Sequence, residues 1–579
     1  MDTENGWFQL EVHSPVTKAQ PEYNGVSAGR PAVENSVPKG ANPMSRRHTY
    51  EQRPLSDYPA NRIPQYSDSA NRIPQYSDPE NRMPVSSNLP VIEHSRSVSP
   101  MPNTMDKTDA AGVRHGYEWE QKTTPAPNAM QQMPADWADE MSLRTRHAQT
   151  VGARGPVLIQ DSILHETLGI FINKKIPERP VHTKGFGAFG IFQTMNSMRE
   201  YTALPFLQSP GQQVPAMVRF SFAVSTKGTP DTARNVRGFS TKFYTREGVF
   251  DLMCNHIPVL FVRDGIRFPE AITSLTPSPV NNLPDPELFW SFVARAPEIT
   301  HFLTWLYSDV GTVKSFRHMP GHSVNTYVWK NAQGVRRYVK YQWLPLAGEE
   351  YIDRYEATEL AGSNPDIAGH DLYDTIASGR PVQYELCVQL MDPLDEAGLP
   401  YDPLDCTKVW DEQQYPLISV GRLTLNRNPE NFMEQIEKAA FSPSNLLEGA
   451  ELSDDKLLQA RANIYWDSQR RRLGEDFRSI PINAQASWTP DDIVTTGEDT
   501  YVEGQLVRSE LPDPDNFSQA GQRYMSLSPE AQDHLVDNLA ADLALVSSDI
   551  RSVVLSYLSA ASEELGERVE AHTAFYTNR

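Results

Sequence analysis

The stretch Val218-Arg219-Phe220-Ser221-Phe222-Ala223-Val224-Ser225 places a large apolar residue at every second position. Successive side chains of a strand leave opposite faces, so one face here is apolar and Arg219 and Ser221 stand side by side on the other. Working outward, Phe239–Tyr244, Pro258–Val262, Thr326–Trp329, Arg337–Trp343, Tyr384–Leu390 and Gly421–Leu425 also read as strands. Turn residues separate them and helical spacing is weak, which predicts a large antiparallel β unit. Eight such strands closed into a barrel would enclose packed side chains or a single ligand.

The texture changes on both sides of this unit. After about residue 430, Asn431–Ala440 and Asp454–Tyr465 read as helices with irregular chain around them. Ser528-Pro529-Glu530 is a helix start, and Leu535, Leu539 and Leu543 then recur every fourth residue on one face. Residues 570–579 show no such stripe. Residues 1–135 are rich in Pro, Ser, Asn and Arg and carry a ten-residue repeat, A-N-R-I-P-Q-Y-S-D-S from Ala60, a near copy from Ala70, then E-N-R-M-P from Glu80. Its few apolar groups cannot offset an ordering cost of about 1–2 kcal/mol per residue, so a disordered tail is expected. Tyr66 and Tyr76 read as linker residues rather than as a docking motif. The expected divisions are 1–135 (tail), 136–430 (arm and barrel), 431–510 (wrapping segment) and 511–579 (helical end).

Composition narrows the function classes. A formal net charge of -21 argues against a nucleic-acid partner, which requires basic surface. No run of eighteen apolar residues is present, so no membrane span is expected. Three cysteines, Cys254, Cys387 and Cys406, form no C-x-x-C pair and suit a reducing compartment. The first ten residues do not resemble a secretory signal, and the chain ends Thr577-Asn578-Arg579 rather than in a Ser-Lys-Leu address. Cytoplasm is the expected location, with peroxisomal import left open.

Two segments carry the chemistry. Ile176 to Gly190 reads I-P-E-R-P-V-H-T-K-G-F-G-A-F-G, and Asp455 to Gly474 reads D-K-L-L-Q-A-R-A-N-I-Y-W-D-S-Q-R-R-R-L-G. Taken singly, His182 is one of 14 histidines, Tyr465 a core tyrosine, and Arg179 and Arg219 surface charges. Together, and in this order, the segments resemble the distal and proximal segments of small-subunit haem catalases. R-G-P-V-L-I-Q-D (Arg154–Asp161), V-R-F-S (Val218–Ser221), R-G-F-S-T-K-F-Y-T (Arg237–Thr245), L-N-R-N-P-E-N-F (Leu425–Phe432) and D-N-F-S-Q-A-G (Asp515–Gly521) resemble further signatures of that family. The likeness runs from about Val151 to about Val569.

The resemblance implies an α+β, catalase-like fold: an eight-stranded antiparallel β-barrel core, a wrapping segment carrying the proximal helix, and a C-terminal α-helical region. It implies haem b and decomposition of hydrogen peroxide to water and oxygen. His182 matches the distal base, Ser221 the hydroxyl holding it, and Asn255 the amide orienting peroxide. Val181 matches the residue closing the channel, and Phe268 the ring over the haem edge. Arg179 and Arg219 match propionate-binding arginines; Tyr465 matches the tyrosinate iron ligand and Arg461 its cation. Such enzymes are generally tetramers with interwoven N-terminal arms, so a homo-oligomer, dimer or tetramer, is implied.

Departures accompany the match. The family's proline after the ligand is Trp466, and Asn325 stands where a histidine links the proximal arginine to an acid, here Asp455. Near the distal side Cys254 replaces a glycine next to Asn255, His256 follows it, and Leu260 replaces a phenylalanine, whose lost ring suggests room for a substrate larger than peroxide. Val310 and Glu412 stand where NADPH-binding catalases carry arginine and histidine, so NADPH is not carried over. A second reading is therefore a catalase-like haem oxidase or cyclase acting on a small organic substrate in specialised metabolism. A third is an inert scaffold with an interaction arm.

Overall fold

A computed structural model describes residues 148–484 except 174, residues 504, 505, 507, 508, 510 and 511, and residues 513–577. The tail and its repeat lie outside the described residues. The strands are β1 (Gly185–Thr194), β2 (Gln213–Phe222), β3 (Arg237–Tyr244), β4 (Val249–Asn255), β5 (Gly321–His322), β6 (Tyr327–Lys330), β7 (Arg336–Pro345), β8 (Val382–Met391), β9 (Ile418–Arg427) and β10 (Ala450–Leu452). The order β5-β4-β3-β2-β1-β9-β8-β7 closes on itself through the β7–β8 and β5–β7 pairings, giving eight antiparallel strands in a barrel. β6 and β10 extend from β7 as a flap.

Alternation in β2 produces the expected result. Val218, Phe220 and Phe222 are fully buried inside the barrel, where Phe220 meets Phe239 at 4.8 Å and Phe239 stacks on Trp343 at 5.6 Å. Closure leaves only the β6 and β10 flap to manage an open edge.

Three expected elements differ. Pro258–Val262 is irregular: its consecutive apolar side chains Val259, Leu260, Phe261 and Val262 are all buried in a second apolar cluster, and Leu260 N–H donates to Cys406 C=O at 2.9 Å. An unbroken apolar run does not distinguish a strand from buried coil. Asn431–Ala440 is not an α-helix but a π turn over Met433–Glu437. Its carbonyls at Ile436, Glu437 and Ala439 accept from arginine side chains instead. The helix expected at Asp454–Tyr465 runs on from Lys456 to Leu473, because Trp466 keeps the N–H that a proline would lack.

Four helices form the C-terminal end: Ser518–Ser526, Pro529–Leu543, Ser548–Ala561 and Glu563–Thr577. Ser528 caps the second through a hydrogen bond from Ala531 N–H, and Leu535, Leu539 and Leu543 are fully buried in the same apolar cluster as Phe292 and Val293. The last helix passes through most of the stretch that lacked a leucine stripe, burying Leu565, Val569 and Thr573.

Candidate functional site

One rung of the barrel organises the first half of the site. Gly185, Ser221, Gly238, Asn255 and His322 are lateral partners across β1, β2, β3, β4 and β5. Lateral partners share a face, and this is the outer face of the barrel, opposite Phe220 and Phe239. The chain reaches it at His182, which has φ of +62°, a left-handed conformation uncommon outside glycine. Two bonds hold that strained residue: His182 N–H donates to Ala223 C=O at 2.9 Å, and Nδ1 lies 2.9 Å from Ser221 Oγ. Gly238 makes room for the ring. A Cβ there would fall 2.6 Å from Ser221 Oγ and 2.9 Å from the imidazole. Burial, then the positive fields of Arg219, Arg461 and Arg179, push the His182 imidazolium down to about 3. The ring is therefore neutral at physiological pH.

Three buried arginines converge beside this rung. Arg179 donates to Glu437 Oε2 at 3.2 Å and to the carbonyls of Glu437 and Ala439 at 2.8 and 2.9 Å. Arg472 donates to the same two carbonyls at 2.8 and 3.3 Å, and Arg219 to Thr183 C=O at 3.2 Å. The Nε atoms of Arg219 and Arg472 are buried without a partner. Burial and mutual repulsion drive the Arg219 guanidinium well below its ordinary range and that of Arg472 to about 9. Burial opposes ionisation of Glu437, but Arg179, Arg219 and Lys227 outweigh it and hold the carboxyl below its usual value. Among the described residues Glu437 is the one carboxylate paired with Arg179, leaving this cluster short of negative charge. Its unfilled donors fit the two carboxylates of a haem.

The third part is the Lys456–Leu473 helix. Asp455 caps it through Leu457 and Leu458 N–H, and its other oxygen accepts from Asn325 Nδ2 at 2.7 Å. Asn325 Oδ1 in turn accepts a short bond from Arg461, whose Nη2 lies 3.5 Å from Tyr465 OH. Burial disfavours the Arg461 cation, but Tyr465, Tyr327 and Asp455 overcome it and raise the guanidinium above its ordinary range. Asp455, Asn325, Arg461 and Tyr465 thus form one continuous relay. Val181 is half-buried beside His182, and Phe268 stacks on Phe261 at 5.7 Å.

Arg472 was absent from the residues singled out by sequence. It lies seven residues after Tyr465, two turns along the same helix, and that spacing was the available signal. Cys254, lateral partner of Phe239, points into the barrel core rather than toward the His182 face. Val310 and Glu412 both line a cleft of about 810 Å³, together with His322, Trp305, Trp410, Lys408, Asp402 and Asp411.

Comparison with known proteins bears on the family and the fold. A family model described as Catalase matches residues 139–508, and one described as Catalase-related immune-responsive matches residues 510–573. Catalase isozyme 2 of Gossypium hirsutum is 38% identical over 450 residues, covering 72% of this chain and 92% of that protein. Catalase-1 of Arabidopsis thaliana is 39% identical over 450 residues with the same coverage. A fungal catalase structure superposes with a TM-score of 0.69 at 33% identity, covering 75% of this chain and 95% of that one. Catalase A of Saccharomyces cerevisiae gives 0.68 at 32% identity, covering 74% and 96%.

Proposed function

Since the chain belongs to the catalase family, haem oxidoreductases that decompose hydrogen peroxide, we propose that its site holds haem b between His182 and Tyr465. The carrying observation is the joint geometry: a neutral imidazole bonded to Ser221, a tyrosine–arginine relay, and an arginine cluster short of anions. Tyr465 would ligate the iron, helped by Arg461, while Arg179, Arg219 and Arg472 would take the propionates. Haem supplies the two-electron redox capacity that couples reduction of one peroxide to oxidation of the next, giving 2 H2O and O2 from 2 H2O2.

The side chains handle protons and orientation. With Nδ1–H donating to Ser221 Oγ, His182 Nε2 accepts a proton from one peroxide oxygen and returns it to the other. Asn255, on the same barrel face, holds the peroxide through its amide. Val181 and Phe268 restrict access and water. Loss of Cys254 as a pocket residue removes one support from the organic-substrate reading, and relatives named catalase do not favour it.

The decisive assay is oxygen evolution by haem-loaded protein and its His182→Ala variant. Wild type should release oxygen rapidly; the variant should keep its haem spectrum and lose turnover by roughly two to four orders of magnitude. Full turnover in the variant rules the base assignment out.

Asp402 and Asp411, beside Glu412 in its cleft, add repulsion toward a phosphate and weigh against NADPH there. A homo-oligomer, dimer or tetramer, is supported by the Ser162–Asn173 helix, which buries none of its own residues and exposes Ile163, Leu168, Ile170, Phe171 and Ile172. All three cysteines are free and buried, in keeping with a cytoplasmic or peroxisomal site of action.

A further inference from the structure

Trp466 follows Tyr465 on the helix, and its surroundings are unusually complete. Its Nε1–H donates to Ser444 Oγ at 2.6 Å, Arg478 stacks on its indole face at 3.7 Å, and Phe477 meets its edge at 5.4 Å. Ser444 is itself fixed. Its Oγ lies 2.7 Å from Ser442 Oγ, and the loop carrying both is tied to β4 by Asp251. Asp251 accepts from Ser442 N–H at 3.0 Å and from Asn445 Nδ2 at 2.7 Å, donates its own N–H to Asn445 C=O at 2.9 Å, and pairs with buried Lys242 at 2.7 Å. A continuous bonded path therefore runs from a barrel strand to the indole beside Tyr465. Asn255 lies on that same strand, four residues beyond Asp251. The loop's Phe441 and β4's Met253 also belong to the apolar cluster against which the Tyr465 ring packs.

We infer that Trp466 is a positioning residue: it locks the roll of the Lys456–Leu473 helix against β4 and thereby sets where the Tyr465 phenol points. This rests on the reading of Tyr465 as the iron ligand. Arg461 and Arg472 tie this helix to Asn325 and to the Glu437 carbonyl, whereas the Trp466 bond ties it to the loop bound to β4. A phenolic oxygen roughly 8 Å from the helix axis moves about 1.4 Å for each 10° of roll. A displacement near 1 Å is enough to cost about 100-fold in a preorganised site. The helix is uninterrupted through this region, with no kink to fix its orientation locally. One strand thus registers Asn255 on one side of the site and Tyr465 on the other.

The test uses full-length haem-loaded protein carrying Trp466→Phe, Ser444→Ala, both together, and Ser444→Thr. Readouts are the resonance Raman bands of iron-bound tyrosinate and the rate of haem transfer to excess apomyoglobin. The two single variants should broaden or shift the tyrosinate bands alike and speed haem loss roughly five- to tenfold. The double variant should be no worse than either, since both cut the same bond. Ser444→Thr, which keeps the hydroxyl, should restore the wild-type bands, which a general packing defect would not allow. Wild-type bands and haem-loss rates in Trp466→Phe would overturn the inference. Absence of tyrosinate bands from the wild-type protein would instead overturn the ligand assignment on which the inference depends.

Discussion

Replacing Arg472 by methionine should have opposite effects on the empty and the haem-loaded protein. In the empty protein, the carbonyls of Glu437 and Ala439 that Arg472 serves also accept from Arg179 at 2.8 and 2.9 Å, so neither is orphaned. The substitution removes a buried, unpartnered Nε, worth about 1–3 kcal/mol of desolvation cost, and relieves repulsion with Arg179. Methionine fills much of the space left by the arginine stem. The expected outcome is an apoprotein whose unfolding free energy in urea is unchanged or raised by about 1 kcal/mol. In the loaded protein, the variant lacks a charge-assisted hydrogen bond to a propionate, worth about 1.5–3 kcal/mol. Haem affinity should then fall roughly 10- to 150-fold. Urea titration of the apoprotein and haem titration by absorbance measure the two quantities separately. An apoprotein weakened by more than about 2 kcal/mol with unaltered haem affinity would refute the reasoning, since Arg472 would then be a structural cap rather than an anion ligand.

Other outcomes follow from the same geometry. Gly238→Ala puts a methyl 2.6 Å from Ser221 Oγ and 2.9 Å from His182, so turnover should fall at least tenfold with haem content retained; unchanged kcat would show that the ring has slack. Buried His256 and His301 have imidazolium pKa values lowered by burial, that of His301 to about 4, below the unfolded value of about 6.5. The unfolded chain therefore binds more protons, and stability present above pH 6.5 should decline as pH falls toward 4 by about 1.4 kcal/mol per pH unit for each. Chemical denaturation at pH 7 and pH 5 tests this, and equal stabilities would contradict it.

What the sequence revealed divides along physical lines. Alternation in Val218–Phe222 declared a strand because one face had to be apolar, and it correctly put Arg219 and Ser221 together on the other. The run Pro258–Val262 carried no such information, since Val259 through Val262 are all buried without alternating. The Asn431–Ala440 helix is instead a π turn over Met433–Glu437, and the carbonyls at its end, which no helical N–H would reach, accept from Arg179 and Arg472. The relay through Asn325 to Asp455 was legible, because an amide can accept from one partner while donating to the other.

Arg461, Tyr465 and Arg472 share one unbroken helix, at intervals of four and seven residues. That arrangement makes the site tolerant of many exchanges in kind but intolerant of changes in count. Adding or deleting one residue between Tyr465 and Arg472 would swing everything downstream by about 100° and shift it by about 1.5 Å. The guanidinium would leave its companions while the phenol stayed in place. The number of residues between Tyr465 and Arg472 is therefore a constraint of its own, distinct from the identity of any side chain on the helix.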